Sequence, residues 1–348
     1  MRCLLAGLIA LFAFAPAQAA RLDPSELTST NAVLHWISTY RDKPNPAEVP
    51  IALRAASRLG AFESPERAGV YVGFLAGVLT KNPAQAEEIA ARSLAMQERD
   101  RWVVMRAIAY SELPNWQILL RRFACRMPRY DVLSDKYING KMATLAEFEV
   151  PPSPSGFERM SKRLHLDRVF GVGQARLMMT PNPEVLDVLW GYYFATGGYG
   201  PILHIVDMLP LAYDHDDADR LTVGSMAKFS LASNAMHDSD LLAMLKMSRK
   251  ARGQPKEVVA ALDDVIDAAE SVDIARIRKE ALAAIEEVKA KGPAYKHNAS
   301  LWGYIGQSAI AGGCLAAAVL GQVELGIPCV VGGAASSAAL NFWNNSPQ

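Results

Sequence analysis

The sequence predicts an all-α protein: stacked helical hairpins, α-solenoid-like or an irregular bundle, with a C-terminal Gly/Ala-rich apolar helical hairpin. Three observations predict it. Proline-containing helix starts recur about 20 residues apart, the length of a helix plus its turn. Between them, apolar residues repeat with helical period. Strict apolar/polar alternation, the mark of a half-buried strand, is nearly absent.

The chain has 348 residues, enough for one large domain or two smaller ones. Its 36 basic and 36 acidic residues balance, so no basic stripe marks it as a nucleic-acid binder. The first segment, 1–20, reads as a secretory signal. Arg2 supplies the positive end, Leu4 to Phe14 the apolar run, and Ala17-Gln18-Ala19 a small-x-small cleavage site. The run is shorter than the ~20 apolar residues of a spanning helix. Export, with a periplasmic destination, follows as the expectation. Past the signal, Cys125, Cys314 and Cys329 are too few for a disulfide-stapled scaffold and read as small apolar core residues.

An N-terminal helical subdomain is expected over 21–149. Asp23-Pro24-Ser25-Glu26, Asn45-Pro46-Ala47-Glu48, Ser64-Pro65-Glu66 and Asn82-Pro83-Ala84-Gln85 each combine a cap, a first-turn proline and an acid or amide. Val33, Trp36, Ile37 and Tyr40 form one apolar stripe. Val70, Phe74, Leu75 and Val78 form a second, and Val103, Ala107 and Tyr110 continue the habit. Gly60 stands where a helix should stop. Residues 150–156 hold three prolines and a glycine and read as an extended connector, between subdomains or within one fold. The second helical subdomain, 157–296, should carry helices over Pro183 to Thr196, Asp217 to Met236, Asp238 to Ala251, Pro255 to Glu270 and Asp273 to Lys291.

Two acidic, histidine-bearing stretches suggest chemistry: Asp214, His215, Asp216, Asp217 and Asp219, then His237, Asp238 and Asp240. Imidazoles and carboxylates can hold a divalent metal that activates water, so an alternative reading is a metal-dependent hydrolase using His204, His215, His237 and Asp238. That set bears a superficial resemblance, over three residues, to an all-helical phosphohydrolase. The same acids precede apolar helices, where they serve as caps and dipole partners, and the reading adopted is no metal and no cofactor. Gly171-Val172-Gly173 lacks the strand and third glycine of a nucleotide fingerprint. Gly197-Gly198-Tyr199-Gly200-Pro201 reads as an interhelical turn, and Gly224-Ser225 lacks the outer glycine of a nucleophile elbow. Met226, Met236, Met244 and Met247 read as core. Arg121, Arg122, Arg126 and Arg129 read as a solvated face.

The last segment, 297–348, is the unusual one. From Ile310 to Leu340 it holds one charge, Glu324. A helical hairpin over 303–340 would turn around Gly321 to Gly326. Gly313, Ala317 and Gly321 on one arm, with Gly333 and Ser337 on the other, have the spacing that lets membrane helices approach closely. Trp302, Tyr304, Phe342 and Trp343 would meet at one end, as interface aromatics do. Against insertion, each arm is slightly short for ~30 Å of hydrocarbon. Lys289, Lys291 and Lys296 would also sit on the exported side. The functional expectation is an exported, non-enzymatic helical interaction or scaffold protein of the bacterial envelope, with a protein partner and a membrane contact through 303–340. A membrane assembly or pore component is a further alternative. The sequence names no small-molecule ligand.

Overall fold

At Pro46 and Pro83, proline sits in the turn that leads into a helix rather than at its first residue. In the computed structural model Asn45 Oδ1 accepts from the Ala47 backbone at 3.2 Å, and the turn through Pro46 precedes a helix that opens only at Val49. Pro83 likewise precedes a turn and a helix opening at Ala86, and Pro65 heads a single 3-10 turn, Pro65–Arg67. Proline fixes φ for the turn and gives up no helical hydrogen bond there. The structure describes residues 25–152, 177–214 and 217–271, with isolated helical positions between 276 and 283. The expected signal at 1–20, the expected start at Asp23-Pro24, most of the helix expected over Asp273–Lys291 and the whole hairpin expected over 303–340, with its flanking aromatics, lie outside them.

The described residues form twelve α-helices and no strand. They are α1 Thr30–Thr39, α2 Val49–Arg58, α3 Gly69–Lys81, α4 Ala86–Ser93, α5 Trp102–Tyr110, α6 Trp116–Ala124 and α7 Asp131–Ile138. Then come α8 Pro183–Thr196, α9 Tyr199–Asp207, α10 Ala218–Ala235, α11 Ser239–Lys250 and α12 Lys256–Ser271. Three of the later starts carry side-chain caps, and those at Asp217 and Asp238 are the ones the sequence implies. Asn182 accepts from Val185 N at 3.0 Å with Pro183 as the first helical residue. Asp217 accepts from Asp219 N and Arg220 N, and Asp238 from Asp240 N and Leu241 N. Each cap satisfies backbone donors that no earlier carbonyl can reach. Gly197 ends α8 at φ 62°, a left-handed stop, and the turn between helices is shorter than expected: only Gly197 and Gly198 lie in it, and Tyr199, Gly200 and Pro201 open α9. One parallel bridge, Phe148 to Met179, joins the chain on either side of residues 153–176.

The second expected stripe was too narrow. Every residue of α3 from Gly69 to Leu79 is buried, and in α8 so is every residue from Val185 to Ala195. A helix apolar on all sides belongs at the centre, and these two pack on each other more extensively than any other pair. Glycines make that possible. A Cβ at Gly73 would lie 1.8 Å from Val188 O, and one at Gly191 would lie 2.0 Å from Val70 O. Gly69, Gly73 and Gly77 have the same four-residue spacing as Gly313, Ala317 and Gly321, here inside the helical body.

The other helices surround the pair. Trp36, Tyr40 and Phe74 meet edge to face at 5.0–5.6 Å, tying α1 and its following turn to α3. Trp190 stacks on Phe194 and donates to Ser230 Oγ at 3.0 Å, tying α8 to α10. Gly224 of α10 lets the turn Leu209–Tyr213 approach: a Cβ there would lie 2.1 Å from Ala212 N. That packing role explains the Gly224-Ser225 dipeptide. One apolar core runs from Leu27 to Ile277, so segments on both sides of the Pro151-Pro152 stretch share it. Arg220 fastens that stretch by donating to Pro151 O at 2.9 Å.

Candidate functional site

The polar groups that stand out cluster at the two ends of α8. Its first turns carry Glu184 and Asp187. Glu184 pairs with Arg106 of α5, whose guanidinium also donates to the Tyr110 hydroxyl at 2.9 Å and lies over the Trp102 and Tyr110 rings. Tyr137 of α7 donates to the same hydroxyl at 3.4 Å. Burial pulls the Arg106 pKa down, but Tyr110 and Glu184 outweigh it and hold the group above the ordinary arginine value. Asp187 lies one turn further along, 0% exposed, and neither carboxylate oxygen has a hydrogen-bond partner. Burial first, and the negative Glu184 second, push its pKa well above the usual carboxylate range. The Tyr71 hydroxyl of α3 feels the Asp187 charge and is itself buried without a partner.

The far end of α8 carries Tyr193. Arg41 lies over its ring at 4.9 Å and donates to its hydroxyl at 2.5 Å. The Tyr193 hydroxyl in turn donates to Asp238 Oδ2 at 2.7 Å, and Arg41 pairs with that same oxygen. Asp238 Oδ1 caps α11. Both oxygens of this aspartate are therefore engaged, and the triad links the turn after α1, the end of α8 and the start of α11.

The sequence-derived metal set is distributed as follows. Asp238 sits in this triad. His204, on α9, meets the Phe148 ring edge-on at 4.9 Å, and burial lowers its pKa. His237 is exposed just before the α11 cap, and His215 with Asp216 lies outside the described residues. Among the described residues no group of three or more His, Cys, Asp or Glu could hold a metal ion. Of the methionines, Met226 and Met244 are in the core, but Met247 is 56% exposed. Cys125 corrects the cysteine reading: it ends α6 on the solvent side and is exposed. Cys314 and Cys329 lie outside the described residues. Arg121, Arg122, Arg126 and Arg129 are exposed, as expected of a solvated face, with Arg122 paired to Glu87 at 2.7 Å.

Sequence reasoning did not find Arg41, Tyr193, Arg106, Glu184, Asp187 or Tyr71. One signal was present: Asp187 is a lone carboxylate in the apolar run Val185 to Leu189 of a predicted helix. The polar pairs of the two clusters, Arg41 with Tyr193 and Asp238 and Arg106 with Glu184, join segments far apart in the chain and leave no local pattern. Chemically, Asp187 and Tyr71 are buried, and Arg41, Tyr193 and Asp238 engage one another. An open depression of about 630 Å³ is lined by Asp264, Asp267, Glu270, Ser271 and Arg276. Lys228 and Arg276 engage Asp264, and Lys246 engages Glu270. No protein family matches the sequence, and neither a curated protein nor a solved structure is significantly similar to the chain.

Proposed function

We propose that the chain is an exported, non-enzymatic helical interaction protein of the bacterial envelope, an irregular bundle held at a membrane by residues 303–340. The pairing of α3 with α8 across more than a hundred residues favours the bundle over a one-dimensional stack. No helix among the described residues is long and apolar enough to cross a membrane, so the tether in this reading is the apolar run from Ile310 to Leu340.

The observation that carries the interaction reading is an exposed apolar face. Tyr199 and Leu203, one turn apart on α9, stay exposed, and the Tyr199 hydroxyl reaches Met247 Sδ of α11 at 3.4 Å. Adjacent exposed apolar side chains of this size are what a contact surface offers. Cell fractionation with carbonate extraction tests the proposal. The full chain should stay in the membrane pellet, and a chain ending before Gly303 should be released. Full release of the intact chain refutes the tether. Introducing Leu203→Asp with Met247→Asp should abolish site-specific crosslinks from α9 without changing the circular dichroism spectrum. Unchanged crosslinks refute the surface.

A further inference from the structure

Asp187 is a carboxyl group with no solvent and no hydrogen-bond donor, placed at a close approach of two helices. It sits on α8 opposite Gly69 of α3, where a Cβ on the glycine would come within 2.9 Å of Asp187 Cβ and 2.5 Å of Glu184 O. Both its oxygens and the nearby Tyr71 hydroxyl are buried without partners. An ionised carboxylate in such a place has nothing to replace its hydration, a cost of several kcal/mol; the neutral acid avoids most of it.

The neighbouring charges do not relieve it. Tyr71 of α3 and Glu184 of α8 itself face Asp187, and neither is cationic. Arg106 of α5 pairs with Glu184 and donates to Tyr110, and its Nε, though buried without a partner, does not bond to either Asp187 oxygen. Lys228 of α10 is held by Asp264 and Glu280. Arg41 is engaged by Tyr193 and Asp238 at the opposite end of α8. In the turn Pro65–Arg67, which also packs against α8, Glu66 accepts from Ser64, and neither Glu66 nor Arg67 bonds to Asp187. On α9, His204 and Asp207 interact with each other, and His35 of α1 is exposed.

We propose that Asp187 is a proton-binding site built into the α3–α8 crossing: the crossing closes on the neutral acid, and loss of the proton loosens it. The folded state then holds one proton that the unfolded chain releases near the ordinary aspartate value of about 3.9. The stabilising effect is complete below that value and is lost as pH rises toward the higher folded-state value, where Asp187 ionises in place. This device is independent of the interaction and membrane reading.

The test compares urea unfolding of the full chain with that of Asp187→Asn, a neutral isostere, at several values between about pH 5 and 8. The unfolding constant of the wild type, divided by that of the variant, should rise with pH, by up to about tenfold per unit over the interval in which only the folded state keeps the proton. The variant should also be the more stable at the upper end. A ratio that stays flat overturns the proposal, because a purely structural role would shift both proteins equally at every pH. Should the variant fail to fold, the wild type alone decides. The infrared carbonyl band of a protonated carboxyl should be present at pH 6 in deuterated buffer. As the band disappears at higher pH, hydrogen-exchange protection of α3 and α8 should fall relative to α11. Absence of the band at pH 6, or protection that falls equally in all three helices, overturns it.

Discussion

Placing a methyl group on Gly73 should force the two central helices apart. The added Cβ would lie 1.8 Å from Val188 O, 2.6 Å from Val188 C and 2.9 Å from Val188 Cα. Ordinary contact begins at 3.4 Å, so α3 and α8 must separate locally by about 1.6 Å. The obstacle is backbone, which no rotamer change can move aside. Overpacking of a core costs about 1–3 kcal/mol and more where the backbone must shift. A radial gap of ~0.5–1 Å already forfeits a quarter to a half of each dispersion contact. We expect a gross cost of about 4 kcal/mol, offset by ~1 kcal/mol because alanine favours helix over glycine. The net ~3 kcal/mol is a large part of a typical stability of ~5–15 kcal/mol.

The same substitution elsewhere makes a graded series. Gly191, Gly69 and Gly77 would place a Cβ 2.0, 2.5 and 2.8 Å from Val70 O, Glu184 O and Ala195 Cβ, so their costs should fall in that order. Gly200, in the first turn of α9, has nothing within 4 Å, and alanine there should be neutral or stabilising. Chemical denaturation of the five variants reads the series. A Gly73→Ala protein within ~0.5 kcal/mol of Gly200→Ala, the spread of ordinary surface changes, refutes the close crossing.

Arg106→Ala should destabilise by about 3 kcal/mol, since it leaves Glu184 and the Tyr110–Tyr137 hydroxyls without their cation; denaturation of R106A beside R106A/E184Q should show part of the loss recovered in the double variant. Cys125 should react with a thiol reagent in the folded protein without denaturant, read by mass spectrometry of its peptide; protection until unfolding would place it in the core after all. The His204 imidazole should titrate below the ordinary value of about 6.5, because burial against Phe148 disfavours its charged form. Its neutral form supports the fold above that value, and the support declines as pH falls through the folded-state pKa. An NMR titration checks it, and a midpoint at or above the ordinary value contradicts the burial.

Much of the helical frame was legible because its signals are local. A capping carboxylate acts on backbone two or three residues away, so Asp217 and Asp238 announced α10 and α11 from sequence alone. Gly197 did the same for the end of α8. Proline was read one step too far: Pro46 and Pro83 fix a single φ, which suits the turn before a helix as well as its first residue. The burial of α3 was half legible. Its stripe was visible, but a run this apolar has no polar face to orient it, and its glycines gain meaning only from what lies against them.

By itself the sequence determined the all-α class of the described body, the caps of α10 and α11, the stop of α8 and the apolar segments, since each depends on residues within about one helical turn. Only the tertiary structure decided that Gly73 meets Val188 backbone, that Arg41 reaches Tyr193 and Asp238, that Arg106 reaches Glu184, and that Asp187 is sealed without a donor. These contacts join segments more than a hundred residues apart in most cases. Whether a carboxylate is a cap, an ion-pair partner or a buried acid depends on the solvent and charges around it, which folding alone sets. Asp238 and Asp187, alike in the sequence as aspartates at helices, differ for that reason.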